Sequence, residues 1–455
     1  MSRSLPSRRT GLPTAFMYGL FACSLWSGCG ANDTAGIPTD MGAPPDLTPG
    51  TPQIKHVVLL VQENHTFDNY FGRYCTAPAA SNPTCNTGPG CCERAPDTEP
   101  SGAFPISLDD AANGRNDPDH TQDCELAEDN GGKMDRYVTG VPGCSHDYNW
   151  AISPNQVVKV YQDYAAQFAL GDRYFQSVAG QSSSNDMYFT TARFVFKDND
   201  LIPNSIGHGC WYQFRTTTRY TGQKTIADLL IAAGKTFGVY AEGYQALKDA
   251  VLCPTSFPSD CTSSIKVPGA PNTCVYDPSD YGWQYFAQFA DNSSYIKDFT
   301  SFAKDLAAGA LPSFTYLKGV SYHTEHPNFG NTITLGAAFV KKVADSILNS
   351  PYAEDTLILI TWDEGGGFFD HVAPPPKSVI DNQPYGTRVP VLAIGKFARK
   401  NYVSHVEMEH SSIVKFLEYN FLDQRTGQLG ARDTVVNNIG SLLDPSKTGI
   451  VIPEN

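Results

Sequence analysis

Two apolar runs along the chain each end at a pair of polar side chains. Val57–Val61 precedes Glu63-Asn64, and Leu357–Trp362 precedes Asp363-Glu364. Runs that are apolar at nearly every position indicate short strands buried on both faces, as in a parallel sheet. Ligands of open parallel sheets collect at the carboxyl ends of the strands. The pattern therefore predicts a binding site formed by both pairs. The alternative is that the acids only cap the helices that follow.

Helical and extended patterns alternate along the rest of the chain. Strands are predicted at 56–61, 165–170, 237–240, 356–362 and 389–394, and helices at 157–164, 226–233, 333–348 and 411–421. Gly234 is predicted to end the second helix and Ser411 to begin the last. Alternation of this kind predicts an α/β fold with three layers, α/β/α, around a mostly parallel central sheet.

The first fifty residues have a different character. Arg3, Arg8 and Arg9 precede an apolar stretch of signal-peptide length, so residues 1–28 are predicted to be a signal peptide. Cys29 follows Ser27-Gly28 as at the end of a bacterial lipoprotein signal, which would attach the chain to a membrane through a lipid; simple secretory cleavage is the alternative. Residues 29–52, rich in Pro and Gly, are predicted to be a disordered tether. Residues 53–455 are predicted to form a single domain.

Cysteine usage agrees with export. Beyond Cys23 and Cys29 the chain has an even set of cysteines, which predicts disulfides in an oxidising compartment. They are Cys75, Cys85, Cys91, Cys92, Cys124, Cys144, Cys210, Cys253, Cys261 and Cys274, and all except Cys210 lie in loop-rich stretches interpreted as insertions near 73–150 and 245–280.

Net charge limits the partners. The formal value is −14, which argues against nucleic acid and against electrostatic binding to anionic lipid. It leaves anionic substrates open, because a bound divalent cation dominates the field around it. Glu63, Asn64, Asp363 and Glu364 offer hard oxygen donors, which favour Ca²⁺, Mg²⁺ or Mn²⁺ without excluding Zn²⁺.

The residues around both pairs add a family resemblance. Glu63–Gly72 and Asp363–Pro375 resemble two signatures of the bacterial phosphoesterase family, which includes phospholipases C and acid phosphatases. Glu325-His326-Pro327, Gly131–Arg136 and Gly386–Pro390 resemble further motifs of this family, in the same order. The resemblance covers residues 54 to 422. It implies an alkaline-phosphatase-like fold and metal-dependent hydrolysis of phosphate esters.

The resemblance also implies roles for individual residues. The segment Gly180–Asn185 matches the family's nucleophile segment and places the nucleophile on Ser182, although the adjacent Ser183 and Ser184 leave the assignment open. Asn185 is placed in the same pocket. The serines are also interpreted as a turn that caps a helix starting near Asp186. The implied ligands of one divalent metal ion are Glu63, Asn64, Ser182, Asp363 and Glu364.

Histidines supply the remaining chemistry. By resemblance, His326 binds phosphate or protonates the leaving group, with His120 in a similar role. His323 is close enough in sequence to share the task. His371, beside Asp370, is predicted to orient the metal loop, with a turn held by Asp370 as the alternative. His410 is predicted to cap the helix at 411–421.

The chain departs from the family pattern at three places. His65 stands where the family usually has Arg, and Gln181 and Ser184 replace two prolines. The stretch 275–280 lacks a histidine that many members carry. These departures weaken any transfer of substrate preference.

The sequence interpretation is therefore a phosphoesterase that acts on a phosphate ester, with a preference for phospholipase C-type cleavage of a phosphodiester in a phospholipid head group. Hydrolysis of phosphomonoesters, as by an acid phosphatase, is the alternative. A surface binding protein on an inactive scaffold is less favoured because all the metal acids are present. A sulfatase is disfavoured because no Cys-x-Pro-x-Arg segment lies near Ser182.

Overall fold

The computed structural model describes residues 50–211, 215–250 and 274–455, which form strands and helices in alternation. The strands are β1 His56–Gln62, β2 Ile106–Ser107, β3 Ala151–Ile152, β4 Ala169–Gly171, β5 Tyr174–Phe175, β6 Leu201–Pro203, β7 Thr216–Thr218, β8 Phe237–Ala241, β9 Ile296–Asp298, β10 Phe314–Lys318, β11 Thr356–Trp362, β12 Val391–Ile394, β13 Tyr402–Ser404 and β14 Met408–Glu409. The helices are α1 Phe67–Phe71, α2 Asp110–Asn113, α3 Gln122–Asp129, α4 Lys159–Gln167, α5 Ser182–Thr191, α6 His208–Trp211, α7 Ile226–Ala232, α8 Tyr244–Asp249, α9 Thr300–Ala307, α10 Ser321–Thr324, α11 Ile333–Leu348, α12 His410–Phe421 and α13 Pro445–Thr448.

A central sheet positions the site. Within the described residues its strand order is β13-β4-β12-β11-β1-β10-β8-β9. All neighbouring strands are parallel except where β12 pairs with β11 and with β4. The register aligns Gln62 of β1 with Trp362 of β11. Glu63 and Asp363, the next residues, therefore leave the same edge of the sheet side by side.

Helices cover both faces of this sheet. β11 is buried along its whole length and β1 is buried beyond His56, because each is apolar on both faces. One group of contacting helices contains α5, α7 and α12, and another contains α1, α2, α4, α10 and α11. The predicted α/β class with a mostly parallel sheet between helical layers is confirmed.

Most predicted elements are present, with local corrections. α11 and β11 have the predicted limits, whereas α4 continues to Gln167 and leaves only Ala169–Gly171 for the following strand. Glu409, rather than Ser411 or His410, caps α12, and its carboxylate accepts a hydrogen bond from the Ser411 amide at 2.8 Å. His410 is the first residue of that helix.

Disulfides hold the early insertion, as the cysteine pattern predicts. Cys75 is bonded to Cys92, Cys85 to Cys91 and Cys124 to Cys144. Cys210 and Cys274 are also disulfide-bonded. The predicted signal peptide, Cys29, most of the tether, Cys253 and Cys261 lie outside the described residues. Within the part of the chain that is described, every helix is too short or too polar to cross a bilayer.

Candidate active site

The two polar pairs meet at the carboxyl edge of the sheet. Glu63, Asn64, Asp363 and Glu364 are all at least 98% inaccessible to solvent. Asp363 Oδ1 accepts hydrogen bonds from the backbone amides of Glu364, at 2.7 Å, and Asn64, at 3.3 Å. Asn64 has a φ of +63°, a conformation that asparagine tolerates better than most residues. The backbone thus turns sharply after each strand and brings both pairs into one cluster.

Ser182 adds a hydroxyl to this cluster. It is the first residue of α5, and its Oγ donates a hydrogen bond to Glu364 Oε1 at 2.9 Å. The Ser183 hydroxyl bonds Asn199 Oδ1 and the Ser184 hydroxyl bonds the Gln181 carbonyl, each at 2.6 Å. Of the three consecutive serines, Ser182 alone therefore presents its hydroxyl to the acidic cluster.

The start of α5 corrects the sequence interpretation, which placed it near Asp186. The helix begins at Ser182, so the serine hydroxyl lies where the helix dipole favours negative charge. Asn185 fixes the preceding turn: its amide nitrogen donates to the carbonyls of Val178 and Gly180, and its oxygen accepts from the Val178 amide. Asn185 thus positions Ser182 through the backbone.

Two histidines converge on Asn64. His120 Nδ1 donates to the Pro118 carbonyl at 2.8 Å and His326 Nδ1 to the Pro327 carbonyl at 2.7 Å. These bonds leave both Nε2 atoms facing Asn64 Nδ2, at 3.4 Å and 3.5 Å. Burial opposes a charge on His326, but the carboxylates of Asp117 and Glu63 outweigh it and raise its pKa. The raised pKa favours a protonated His326, which can carry a proton beside the cluster.

The donor set fits a divalent cation. Asn64 Oδ1 and Glu364 Oε2 are buried, and neither has a hydrogen-bond partner within the described part of the chain. Burial and the neighbouring Asp363 raise the pKa of Glu364 well above its ordinary value. Buried acids and unpaired oxygens of this kind are stabilised when a cation binds between them. The residues that would hold it are Glu63, Asn64, Ser182, Asp363 and Glu364, all oxygen donors suited to Ca²⁺, Mg²⁺ or Mn²⁺.

Other predicted site residues have different neighbours. His323 Nδ1 contacts the Glu242 carboxylate at 2.8 Å, and its ring stacks on Phe339. His65, which stands in the usual place of Arg, is fully buried between the Glu63 carbonyl and Asn113. Burial lowers the pKa of His65 to about 4, so this side chain is neutral and offers phosphate no positive charge.

Asp370 and His371 belong to a neighbouring ion-pair network rather than to the acidic cluster. His371 Nδ1 lies 2.8 Å from Asp68 Oδ2 and its Nε2 lies 3.1 Å from Glu93 Oε2. Arg388 Nε lies 2.8 Å from Asp370 Oδ1, and Arg388 Nη2 lies 3.2 Å from Asp68 Oδ1. The network joins α1 to the segment that follows Asp363-Glu364, and so holds that segment against the sheet.

Stability should depend on pH through His371. Burial opposes its charge, but Asp68 and Glu93 prevail and raise its pKa from 6.5 to about 9. Because the folded pKa is raised, the stabilisation is complete below pH 6.5 and is lost as pH rises through about 9. We expect the free energy of unfolding to fall by about 3 kcal/mol more in the wild type than in His371→Gln between these pH values. Urea unfolding at pH 6 and pH 9.5 measures this difference, and equal losses in both proteins would contradict the assignment.

Sequence reasoning missed two residues of the cluster. Lys318, the last residue of β10, is completely buried, and Nζ lies 2.8 Å from Glu63 Oε1, 3.2 Å from Asp186 Oδ2 and 3.3 Å from Asp363 Oδ2. Asp186 lies one helical turn after Ser182. The available signals were a lysine ending an apolar strand and the four-residue spacing of Ser182 and Asp186, which places both on one face of a helix.

Glu325, the residue before His326, is held in place by two tyrosines. It is fully buried, and its carboxylate accepts hydrogen bonds from the hydroxyls of Tyr70, at 2.6 Å, and Tyr161. Burial raises the pKa of Glu325 to about 8. The two tyrosines fix Glu325, and through the chain they fix the adjacent His326.

Comparison with known proteins gives a consistent family signal. The sequence pattern of the phosphoesterase family matches residues 54–422. Non-specific phospholipase C3 of Arabidopsis thaliana is 25% identical over 445 residues, which cover 86% of this chain and 75% of that protein. Phospholipase C B of Mycobacterium tuberculosis is 25% identical over 451 residues, which cover 88% of this chain and 80% of that protein. A Vibrio parahaemolyticus protein of the alkaline phosphatase superfamily overlaps at a TM-score of 0.37 and 12% identity, over 89% of this chain and 77% of that one.

Proposed function

Because this chain belongs to the phosphoesterase family, it is a phosphoric ester hydrolase, and we propose that Ser182 is its nucleophile, beside one divalent cation. The hydrogen bond of 2.9 Å between Ser182 Oγ and Glu364 Oε1 carries this proposal. Ser182 is the only one of the three neighbouring serines whose hydroxyl reaches the buried acids. When bound, the cation neutralises phosphate oxygens and favours the ionised form of the serine hydroxyl.

In the proposed reaction Ser182, Glu364 and His326 each have a separate role. Ser182 Oγ attacks phosphorus from the N-terminus of α5, where the backbone amides favour negative charge. The hydroxyl proton passes toward Glu364 as the bond to phosphorus forms. His326 Nε2 gives its proton to the leaving oxygen, so the phosphorylated head group stays on the serine. Water then attacks phosphorus and returns a proton to His326, and the phosphorylated head group leaves as Ser182 takes back its proton from Glu364.

The substrate we propose is a phosphodiester in a phospholipid head group. The charges of the site support this choice. A diester carries one negative charge, whereas a monoester carries up to two. Lys318 already contacts three carboxylates, and His65 is neutral. With these two side chains unable to neutralise a second charge, the singly charged diester fits better. The relatives named phospholipase C support the same substrate class.

The test compares p-nitrophenylphosphorylcholine with p-nitrophenyl phosphate, with and without a chelator. We expect faster turnover of the diester, and loss of turnover on chelation that Mn²⁺, Mg²⁺ or Ca²⁺ restores. Faster turnover of the monoester would contradict the proposed diester substrate and indicate a phosphatase. Turnover that survives complete metal removal would show that the reaction needs no cation.

Replacing His326 by Gln should affect substrates according to their leaving group. Phosphatidylcholine releases a basic alkoxide that needs a proton, so we expect turnover to fall about 10²- to 10⁴-fold. p-Nitrophenylphosphorylcholine has the same head group but a stable leaving anion, and its loss should be much smaller. The parallel variant His323→Gln tests the shared role, and we expect a smaller loss because its ring contacts Glu242. Equal losses on both substrates would argue against proton donation by His326.

We also propose that the protein is exported, with Cys29 lipidated. The disulfides of the early insertion support an oxidising compartment. Fractionation of cells that express the wild type and Cys29→Ser tests this proposal: the wild type should remain with membranes and the variant should be released.

A further inference from the structure

Lys318 is the most fully enclosed cation at the proposed metal site. Its side chain is completely buried, and a lysine is rarely so unless it is paired. An ammonium has three N–H donors, and three carboxylates surround this one at 2.8–3.3 Å. Nζ donates hydrogen bonds to Asp186 Oδ2 and Asp363 Oδ2 and forms an ion pair with Glu63 Oε1, so protein carboxylates surround the ammonium.

The three acids reach Lys318 from separate parts of the fold. Glu63 follows β1, Asp363 follows β11, and Asp186 lies in α5 one turn beyond Ser182. Three buried carboxylates that converge on one point form a cage for a cation, and without a cation their mutual repulsion would be severe. Asp186 has no other evident task in the proposed reaction, and its hydrogen bond to the Tyr316 hydroxyl, at 3.1 Å, fixes it in the cage.

Two of these acids also belong to the proposed ligand set of the divalent cation. Glu63 and Asp363 therefore link the ammonium to the metal position, as shared carboxylates link the two ions of a two-metal site, which lie about 3.5–4 Å apart. We propose that the ammonium of Lys318 is a built-in cation that occupies the place of a second metal ion, so that the site binds a single divalent cation. This inference rests on the proposed function.

Two consequences follow for the chemistry. Lys318 is a positioning residue, since it holds Glu63 and Asp363 in place without contacting the substrate. Its fixed charge also stabilises part of the acidic cluster before any metal binds, so the ligands are already arranged for the ion. The proposed site then contains two cations near Ser182: one divalent metal ion, which can exchange, and the ammonium of Lys318, which is part of the chain.

The test counts Mn²⁺ bound to the purified mature chain by calorimetry and elemental analysis. We expect one Mn²⁺ per chain in the wild type and two in Lys318→Met, the second held by Glu63, Asp186 and Asp363. The electron paramagnetic resonance spectrum should then show an exchange-coupled pair of ions. Lys297→Met is the matched control: this lysine is partly exposed and pairs with Asp305, and its variant should bind one ion.

Lys318→Met with one Mn²⁺ bound as tightly as in the wild type would overturn the inference. If that variant does not fold, the double variant Lys318→Met, Asp186→Asn can be used instead. It removes one buried positive charge and one buried negative charge, so the net charge of the cluster is unchanged. The double variant lacks one acid of the cage, so we expect one ion bound at least about tenfold more weakly, because Glu63 and Asp363 are no longer held. Unchanged affinity there would also overturn the inference.

The metal count separates this inference from the proposed function. A wild type that binds no Mn²⁺, with a Lys318→Met variant that binds one, would support the role of Lys318 as a cation and remove the metal from the proposed reaction. A failure of both proteins to bind Mn²⁺ would overturn both proposals.

Discussion

Replacing Ser182 by Ala should lower turnover of the phosphodiester by at least about 10⁴-fold, the loss typical when a nucleophile is removed. The fold should be unaffected, because Ser182 Oγ makes one hydrogen bond, to Glu364, and the helix continues without it. The measurements are steady-state kinetics on p-nitrophenylphosphorylcholine and the thermal midpoint of unfolding. Rapid acid quenching of the wild type during turnover should also trap a phosphorylcholine group on a peptide that contains Ser182.

Ser183→Ala and Ser184→Ala are matched controls in the same helical turn. Their hydroxyls bond Asn199 and the Gln181 carbonyl, so each variant should retain turnover within about tenfold, although loss of a buried hydrogen bond costs stability of about 1 kcal/mol. If Ser182→Ala keeps full activity and Ser183→Ala or Ser184→Ala loses turnover, the serine whose replacement abolishes turnover is the nucleophile.

Replacing Arg388 by Met should reduce the free energy of unfolding by about 3–5 kcal/mol, the usual cost of removing one partner from a buried ion pair. Arg388 is 1% exposed and lies 2.8 Å from Asp370 and 3.2 Å from Asp68. Its guanidinium also lies over the Phe67 ring, 4.5 Å from the centroid. Methionine retains much of the volume but leaves both carboxylates without this cation. Urea unfolding at neutral pH measures the loss.

Arg94→Met serves as the surface control. Arg94 pairs with Asp97 at 3.2 Å, but both side chains are largely exposed, and such pairs contribute about 0–1 kcal/mol. A loss for Arg388→Met as small as that for Arg94→Met would show that the network around Asp68 and Asp370 is not needed to hold the segment after Glu364.

The sequence predicted the elements whose apolar pattern is unambiguous. β11 and α11 have the predicted limits because a continuous apolar run and a helical repeat are local signals. The start of α5 was predicted four residues late, because Ser182–Thr191 is buried on every side and shows no polar face to mark a helix. The cap of α12 was missed because glutamate is an uncommon cap, and its position depends on the pairing of β14 with β5.

Some residues of the candidate site could be identified from the sequence and others could not. Glu63, Asn64, Asp363 and Glu364 were identifiable because each pair directly follows a predicted strand. Lys318 and Asp186 were not, because their contact depends on which strand lies beside β1 and on how α5 crosses the sheet edge. The placement of His371 beside Asp68 and Glu93 is likewise a tertiary contact, across 303 and 278 positions of the chain.

The position of β1 at the centre of the sheet has a consequence for the timing of assembly. β1 is synthesised first among the strands, yet its neighbours β10 and β11 come from the last third of the chain. The disulfide loops near the N-terminus close over separations of 17, 6 and 20 residues, so they are local, whereas strand pairing around β1 must await the distant segments and is correspondingly slow. A nascent chain that has already exposed Glu63 and Asn64 therefore has neither Lys318 nor Asp363 beside them. We therefore expect chains that end before β10 to have no hydrolytic activity.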